Sequence, residues 1–300
     1  MAVPITLKSK EQTAISKDIS TEALINCFPT LRPGNAVSDL FLIGSHGWVE
    51  FGTGTAASQV RGSICNDEGT VGFIVVDDKL YSVDTGGTRT LRGTIGTSSG
   101  ILRMVIGTTH LFFVDGIDGY TLKLSDYTFL TITDVLFPDA PIDVTFLGGY
   151  YIVAGQISGE YVVALSAIDD PSSWPVTNEL YPADIPGTIK AVKAFNKELW
   201  IFGTTTTEVW INTPGQGAGA FPLTQSYVHS WGLAAGYSPA ILSTGLYCIG
   251  RSKGIKAALL MCQGSTITEI DNEDMNRLLQ SFSTVSDAFA YCYEDAGQQL

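Results

Sequence analysis

A strand, a tight turn and a second strand recur along this chain, and a repeat of that kind constrains the fold more than any local motif. Lys79-Leu80-Tyr81-Ser82-Val83-Asp84 turns at Thr85-Gly86-Gly87 into residues 88–95, and His110-Leu111-Phe112-Phe113-Val114-Asp115 turns at Gly116-Ile117-Asp118-Gly119 into Tyr120-Thr121-Leu122-Lys123-Leu124. Tyr150-Tyr151-Ile152-Val153-Ala154 turns through Gln156-Ile157-Ser158-Gly159 into Glu160-Tyr161-Val162-Val163-Ala164-Leu165. Leu199-Trp200-Ile201-Phe202 turns at Gly203 and four threonines into Glu208-Val209-Trp210-Ile211, and Leu246-Tyr247-Cys248-Ile249 turns through Arg251-Ser252-Lys253-Gly254 into residues 255–262. With Leu80, Leu111, Tyr150, Leu199 and Leu246 as equivalent starts, subtraction gives intervals of 31, 39, 49 and 47 residues. A lone hairpin cannot bury both faces of an apolar strand, whereas four-stranded sheets stacked radially can. The period therefore predicts an all-β fold, a β-propeller of repeated antiparallel hairpins centred on Gly86, Gly116, Gly159, Thr205 and Gly254. A β-sandwich would space its strands evenly, at about 8 to 12 residues, with no longer period.

One helix interrupts the strands. Asp271 is placed as its N-cap, Glu273 and Asp274 sit in the first turn against the helix dipole, and Met275, Leu278, Leu279 and Phe282 follow at i, i+3, i+4 and i+7. This predicts a packing helix near residues 272–282. Residues 1–30 are polar with scattered aliphatics and two prolines, an extended amino-terminal arm, and the propeller domain takes 31–300. Gln298-Gln299-Leu300 resembles the opening of a further strand, 54 residues after Leu246, so the last blade is expected to be incomplete.

Composition agrees with a packed β fold and narrows function. Apolar residues are 45% and charged residues 16%, which argues against disorder. Seventeen Lys and Arg against 30 Asp and Glu leave a net charge of −13, which disfavours a protein that clamps nucleic acid by neutralising phosphates. The first ten residues lack the continuous apolar stretch of a secretory signal. No run approaches the roughly 18 apolar residues that span a bilayer, so a soluble protein with no membrane span is expected. Cys27, Cys65, Cys248, Cys262 and Cys292 form an odd set without Cys-x-x-Cys. Buried free thiols in a reducing compartment are expected, with Cys248 and Cys262 candidates for neighbouring strands.

Catalytic signatures are weak. His46, His110 and His229 are far apart and in no metal-ligand spacing. Gly52-Thr53-Gly54 and Gly215-Gln216-Gly217-Ala218-Gly219 neither lead into a helix nor precede Gly-Lys-Ser/Thr, so they are turns rather than phosphate cradles. Asp115 with Asp118, Asp169 with Asp170, and Asp271 with Glu273 and Asp274 offer paired carboxylates of the kind glycoside hydrolysis uses. They fit hairpin turns, an Asp-Asp-Pro turn and a helix cap better, and residues 271–274 lack the glycine and ligand spacing of a calcium loop. No catalytic residue, cofactor or metal is therefore expected. Trp200, Phe202 and Trp210 alternate with aliphatics and predict blade core, while Trp48, Trp174 and Trp231 are placed as anchors of loops between blades.

Several segments, in order, resemble a known family. They are Asn26-Cys27-Phe28-Pro29, Phe146-Leu147-Gly148-Gly149-Tyr150, Asp169-Asp170-Pro171 through Trp174, Tyr181-Pro182-Ala183-Asp184, and Leu199-Trp200-Ile201-Phe202-Gly203 leading to Thr207-Glu208-Val209-Trp210. Together they are similar to the packaged-DNA stabilisation proteins, the tail hub or plug proteins, of short-tailed bacteriophages. The likeness runs from about residue 24 to the end of the chain. It implies a structural virion protein of the tail, assembled in the host cytoplasm as a homohexamer beneath the portal and adaptor ring proteins. Such a subunit stabilises packaged DNA, forms part of the ejection conduit and carries tailspike or needle proteins, and DNA passes its channel without sequence-specific binding. Family members are usually longer, so this chain is not expected to account for the needle and spike contacts.

An acidic lumen suits a conduit, because repulsion prevents tight non-specific binding that would stall the DNA. Propellers serve unrelated tasks, so two other readings stay open. A glycan-active propeller enzyme would need carboxylates converging at the central channel within about 5 to 9.5 Å. A cytosolic protein-interaction scaffold would be a monomer with an exposed groove. Candidate interface residues are Asn26 and Phe28 near the arm, and Gly215, Gly217 and Phe221 in a loop too apolar and glycine-rich for an ordinary solvated turn.

Overall fold

Short apolar strands joined by tight turns can pair only with their sequence neighbours, and the chain accordingly forms a series of antiparallel meanders. The computed structural model describes residues 51, 59–212, 223–270 and 273–292, with side chains for 51, 59–211, 227–270 and 275–292, and the backbone of short strands at 12–13, 21–22, 27–31, 40–44, 294–295 and 298–299. The first blade joins Val60–Cys65, Val71–Val76, Lys79–Asp84 and Arg89–Thr94. The second joins Arg103–Ile106, His110–Val114, Gly119–Lys123 and Phe129–Thr131. Asp139–Leu147, Tyr150–Ile157, Glu160–Leu165 and Glu179–Leu180 make the third. Ala191–Phe195, Glu198–Phe202, Thr207–Asn212 and Leu223–His229 make the fourth. In the fifth, Gly232–Leu233 and Ala240–Leu242 both pair with Gly245–Ser252, and Ile255–Gln263 and Thr266–Glu269 follow. The first strands of the first four blades lie side by side, which puts them at the centre. This is the all-β propeller that the period predicts.

The core lies between blades. Leu111 and Phe113 pack toward the first blade with Phe73, Val75 and Leu80, while Phe112 and Val114 pack with Tyr151 and Val153 of the third. Ile152 and Ala154 meet Leu199 and Ile201 of the fourth blade, and Trp200 and Phe202 meet Leu246, Cys248 and Leu260 of the fifth. The second strands of the second, third and fourth blades are thus covered on both faces, which is why they are written as unbroken apolar runs rather than alternations. Each fully buried Leu, Val or Phe contributes about 1.5–3 kcal/mol.

The register of the repeat differs from the expectation at two points. Leu80 lies in the third strand of its blade, whereas Leu111, Leu199 and Leu246 lie in second strands. The glycines at 86 and 87 give the outer turn the stronger signal, but the turn that matches the other blades is Asp77-Asp78, where Asp77 takes φ 51° without a glycine. In the third blade the residue packed toward its predecessor is Tyr151, not Tyr150. Starts at Gly72, Leu111, Tyr151, Leu199 and Leu246 give intervals of 39, 40, 48 and 47 residues, more even than those read from sequence. Other turns follow the rule for tight hairpins, which need φ above zero at both central residues. Ser158 and Gly159 stand at 54° and 86°, and Asn196 and Lys197 at 49° and 68°.

The helix spans Glu273–Ser281, with Asp271 outside the described residues. It packs through one side chain rather than a stripe. Leu279 is buried against Ala257 and Val285, whereas Leu278 and Phe282 are exposed. Polar bonds hold the rest: Gln280 Nε2 donates to the Ala257 carbonyl at 2.8 Å, and the Lys256 ammonium donates to the Phe282 carbonyl.

Cys248 and Cys262 are buried free thiols on adjacent strands, one step apart diagonally. Their mutual hydrogen bond, and then burial, push the Cys248 thiol well above its ordinary range. Cys65 departs from the expected burial and is exposed, because it faces away from the second blade, and Cys292 is half-buried. Outside the five blades, Cys27–Leu31 pairs with Leu40–Gly44 across the boundary drawn at residue 30, and Gln298–Gln299 pairs back onto Glu294–Asp295.

Candidate interaction surface

Asn26, Gly215, Gly217 and Phe221 lie outside the described residues, as do His46, Trp48 and residues 52–54. Phe28 sits in Cys27–Leu31, where it pairs with Ile43. The acidic pairs are built into turns. Asp115 accepts the Thr97 hydroxyl at 2.6 Å, the Tyr120 hydroxyl at 3.0 Å, and the amides of Ile117 and Asp118 at 3.0 and 2.8 Å. Burial opposes ionisation there, yet those bonds hold the Asp115 carboxyl below its ordinary 3.8, and burial together with Asp115 pushes the Tyr120 phenol up to about 12. Asp169 takes φ 56° at the turn, and Asp170 accepts the amide and hydroxyl of Ser172 at 3.0 and 2.6 Å. Among the described residues, no three His, Cys, Asp or Glu side chains gather as a metal site would require.

The tryptophans divide. Trp200 is fully buried, but Trp210 is only half-buried, packed at the margin of the core between the third and fourth blades. Each indole N–H donates to the carboxylate two residues earlier, Trp200 to Glu198 at 3.1 Å and Trp210 to Glu208 at 2.9 Å. Glu208 also accepts the Asp184 amide at 2.7 Å, and burial pushes its carboxyl above the ordinary 4.5. Trp174 stands in the loop before the last strand of the third blade and donates its indole N–H to the Pro171 carbonyl at 2.8 Å. It packs on Phe112 of the second blade and Phe137 of the 132–138 connection, and its amide donates to Asp134 at 2.8 Å, so it anchors the loop between those two blades as expected. Trp231 is half-buried against the core of the fourth and fifth blades.

The centre of the ring holds a charged cluster that the sequence reading missed. Asp143, on the first strand of the third blade, is wholly buried and accepts Lys193 Nζ of the fourth blade at 2.9 Å. It also accepts the amides of Val144 and Val192 at 2.9 and 3.0 Å. Arg103 Nε of the second blade stands 3.5 Å from the same carboxylate, an ion pair without hydrogen-bond geometry. The Arg103 guanidinium reaches the Gly236 carbonyl and lies 3.9 Å over the Tyr237 ring, both in the 234–239 excursion of the fifth blade. Side chains from four blades therefore fill the middle. The sequence signal was a charge set among apolar strand residues, Ile142-Asp143-Val144 and Val192-Lys193-Ala194. Arg61, buried in the first blade, is satisfied instead by carbonyls: it donates to Asp77, Thr97, Ser99 and Gly100 at 2.6–2.9 Å.

In a four-stranded meander, the turn after the second strand and the connection after the fourth leave from one end. On that face the turns and connections of the first two blades carry exposed aliphatics: Ile101, Ile117, Leu136, and Val135 at 95% exposure. The loops that carry them are neighbours. Thr97 and Gly96 are bonded to Asp115 and Tyr120 of the next turn, and a Cβ on Gly119 would stand 2.5 Å from Phe137 of the 132–138 connection. Asp77, Asp78, Asp118, Asp134, Asp139 and Glu160 stand in or beside the turns and connections of the same face, with Lys79 bonded to Asp78 at 2.7 Å. A face of exposed aliphatics and acidic side chains is suited to a protein partner and unsuited to a phosphate backbone.

Comparison with known proteins agrees with the architecture. The family model described as Phage_stabilise, Bacteriophage P22 Gp10, beta-propeller, matches residues 1–300. No curated protein matches the chain. Among solved structures, PorZ of Porphyromonas gingivalis is similar at 12% identity and TM-score 0.51, over 78% of this chain and 31% of that one. BamB from Moraxella catarrhalis is similar at 14% identity and TM-score 0.48, over 73% and 63%. The Pan2 WD40 domain of Neurospora crassa is similar at 12% and 0.45, over 72% and 59%. The chain spans 37% and 31% of the first two structures it matches. At such identities the likeness to PorZ shows the fold alone.

Proposed function

Since the chain belongs to the phage stabilisation family of P22 Gp10, a family of β-propellers, we propose that it is a non-enzymatic hub of the phage tail that closes the portal and adaptor channel over packaged DNA. The observation that carries this reading is the family match over the whole chain. The surface supports it. Net charge of −13 and an acidic turn face with exposed aliphatics repel DNA while offering a protein contact. Because Arg103, Asp143 and Lys193 fill the middle of the propeller, the DNA path runs through a lumen enclosed by several subunits, six in the expected ring, and not through any one propeller. The same cluster gives no support to a glycan-active site, for the carboxylate at the centre has both oxygens engaged. Asn26, Gly215, Gly217 and Phe221 remain proposed contacts with the adaptor or neighbouring subunits.

The test is a phage lacking this gene, complemented with wild type or left uncomplemented. The expected result is particles that package DNA and then lose it unless wild type is supplied. Uncomplemented particles that keep their DNA and infect normally would remove the stabilisation role.

A further inference from the structure

Among the described residues, the apolar cores between the five blades do not run round a closed ring. Apolar cores join the first blade to the second, the second to the third, the third to the fourth and the fourth to the fifth, and among the described residues no such core joins the fifth to the first. The far face of the fifth blade is already occupied, as Ala234, Ile249 and Ala257 pack with Leu279 and Val285 of the helical segment. The far face of the first blade is different. Strand pairing aligns Ser63, Ile74, Tyr81 and Leu91 in one row across its four strands, opposite the face that carries Phe73, Val75 and Leu80. Ser63 and Leu91 are exposed, and Ile74 and Tyr81 are half-buried.

One further hairpin has the sequence to cover that row. Leu40-Phe41-Leu42-Ile43-Gly44 repeats the pattern of Leu199-Trp200-Ile201-Phe202-Gly203 and Leu246-Tyr247-Cys248-Ile249-Gly250. Those two segments are the second strands of the fourth and fifth blades, the strands covered on both faces. A run of four consecutive apolar residues in a strand calls for a sheet on either side. Leu40–Gly44 pairs with Cys27–Leu31, which then stands as the first strand of the same unit, and Pro29 is tolerated there because an innermost strand has one unpaired edge.

We infer that the hairpin Cys27–Leu31/Leu40–Gly44 packs on the Ser63, Ile74, Tyr81 and Leu91 row of its own chain as the inner half of a further blade. This reassigns Phe28 from a partner contact to ring closure, and it withdraws the far face of the first blade from the surfaces open to other proteins. The inference does not depend on the tail hub reading and survives its loss.

The test places p-benzoylphenylalanine at exposed Ser63 in the full chain and irradiates an equal mixture of unlabelled and 15N-labelled protein. The expected crosslinks join residue 63 to residues 27–44 within single-isotope chains. Crosslinks to 27–44 of the other isotope would show a swapped hairpin, and crosslinks to 273–292, or none, would show another cover or an open face; each overturns the inference. A second measurement keeps it open to refutation if that variant folds poorly. Leu42→Asp should raise amide hydrogen exchange in Val71–Val76 at least tenfold while leaving Glu198–Phe202 unchanged, and equal change in both strands overturns it.

Discussion

Asp143→Ala is the sharpest probe of how the centre is held. The carboxylate accepts Lys193 Nζ and two backbone amides at 2.9–3.0 Å and sits 3.5 Å from Arg103 Nε, all with no exposure of its own. Its removal leaves two cations and two amides in the interior without their acceptor. Losing one partner of a buried ion pair costs about 3–5 kcal/mol, because the remaining charge is uncompensated. At about 2–4 °C per kcal/mol for a domain of this order, the melting temperature should fall by roughly 10 °C. Lys193→Met is the control. It leaves Arg103 and Asp143 balanced one to one, so stability should stay within about 1 kcal/mol of wild type. Burial, with Arg103 adding to it, depresses the Lys193 ammonium below its ordinary 10.5 against the pull of Asp143. The folded state then binds fewer protons than the unfolded state in the window below 10.5, so this group's contribution to stability rises with pH there. Lys193→Met should lose that rise. Urea denaturation followed by circular dichroism, repeated across alkaline pH, measures both effects. A cost below about 1 kcal/mol for Asp143→Ala, or equal costs for the two variants, would refute the account of a carboxylate holding two cations.

The other expectations are separate. Trp200→Ala should cost about 3–5 kcal/mol by denaturant titration, and Trp210→Ala clearly less, because only the first is fully enclosed. Glu208 has a folded value above 4.5, so the native state binds more protons than the unfolded state just above pH 4.5 and stability from this group falls as pH rises through that window. Stability curves at pH 4 and pH 7 should show Glu208→Gln lacking that fall, and an unchanged pH dependence would contradict it. Cys248 and Cys262 should react with a thiol reagent only after unfolding. Fast labelling of either buried thiol in native buffer would show that the core between the fourth and fifth blades opens.

Local chemistry determined much of this molecule. Apolar runs such as Leu111-Phe112-Phe113-Val114, split by turn residues at blade-sized intervals, suffice to specify radially stacked meanders, because such stacking covers both faces of a strand of that kind. The acidic pairs were legible as turns for the same reason: the bonds that make the turns, from Ile117, Asp118 and Tyr120 to Asp115 and from Ser172 to Asp170, lie within five residues. The Thr97 hydroxyl on Asp115 comes from the preceding blade's connection and was not legible. Register was less so. Asp77-Asp78 makes a turn without glycine, and the Gly86-Gly87 turn next to it gives the stronger local signal for the wrong hairpin. The charged centre was decided only by the assembled structure. Arg103, Asp143 and Lys193 are 40 and 50 residues apart and meet because the first strands of their blades converge on one axis, and a lone charge in a strand carries no sign of which distant partner will neutralise it. The same holds for Leu278 and Phe282: helical spacing puts them on one side, but whether a neighbour covers that side depends on what the fifth blade presents there, which is Ala257 and little else.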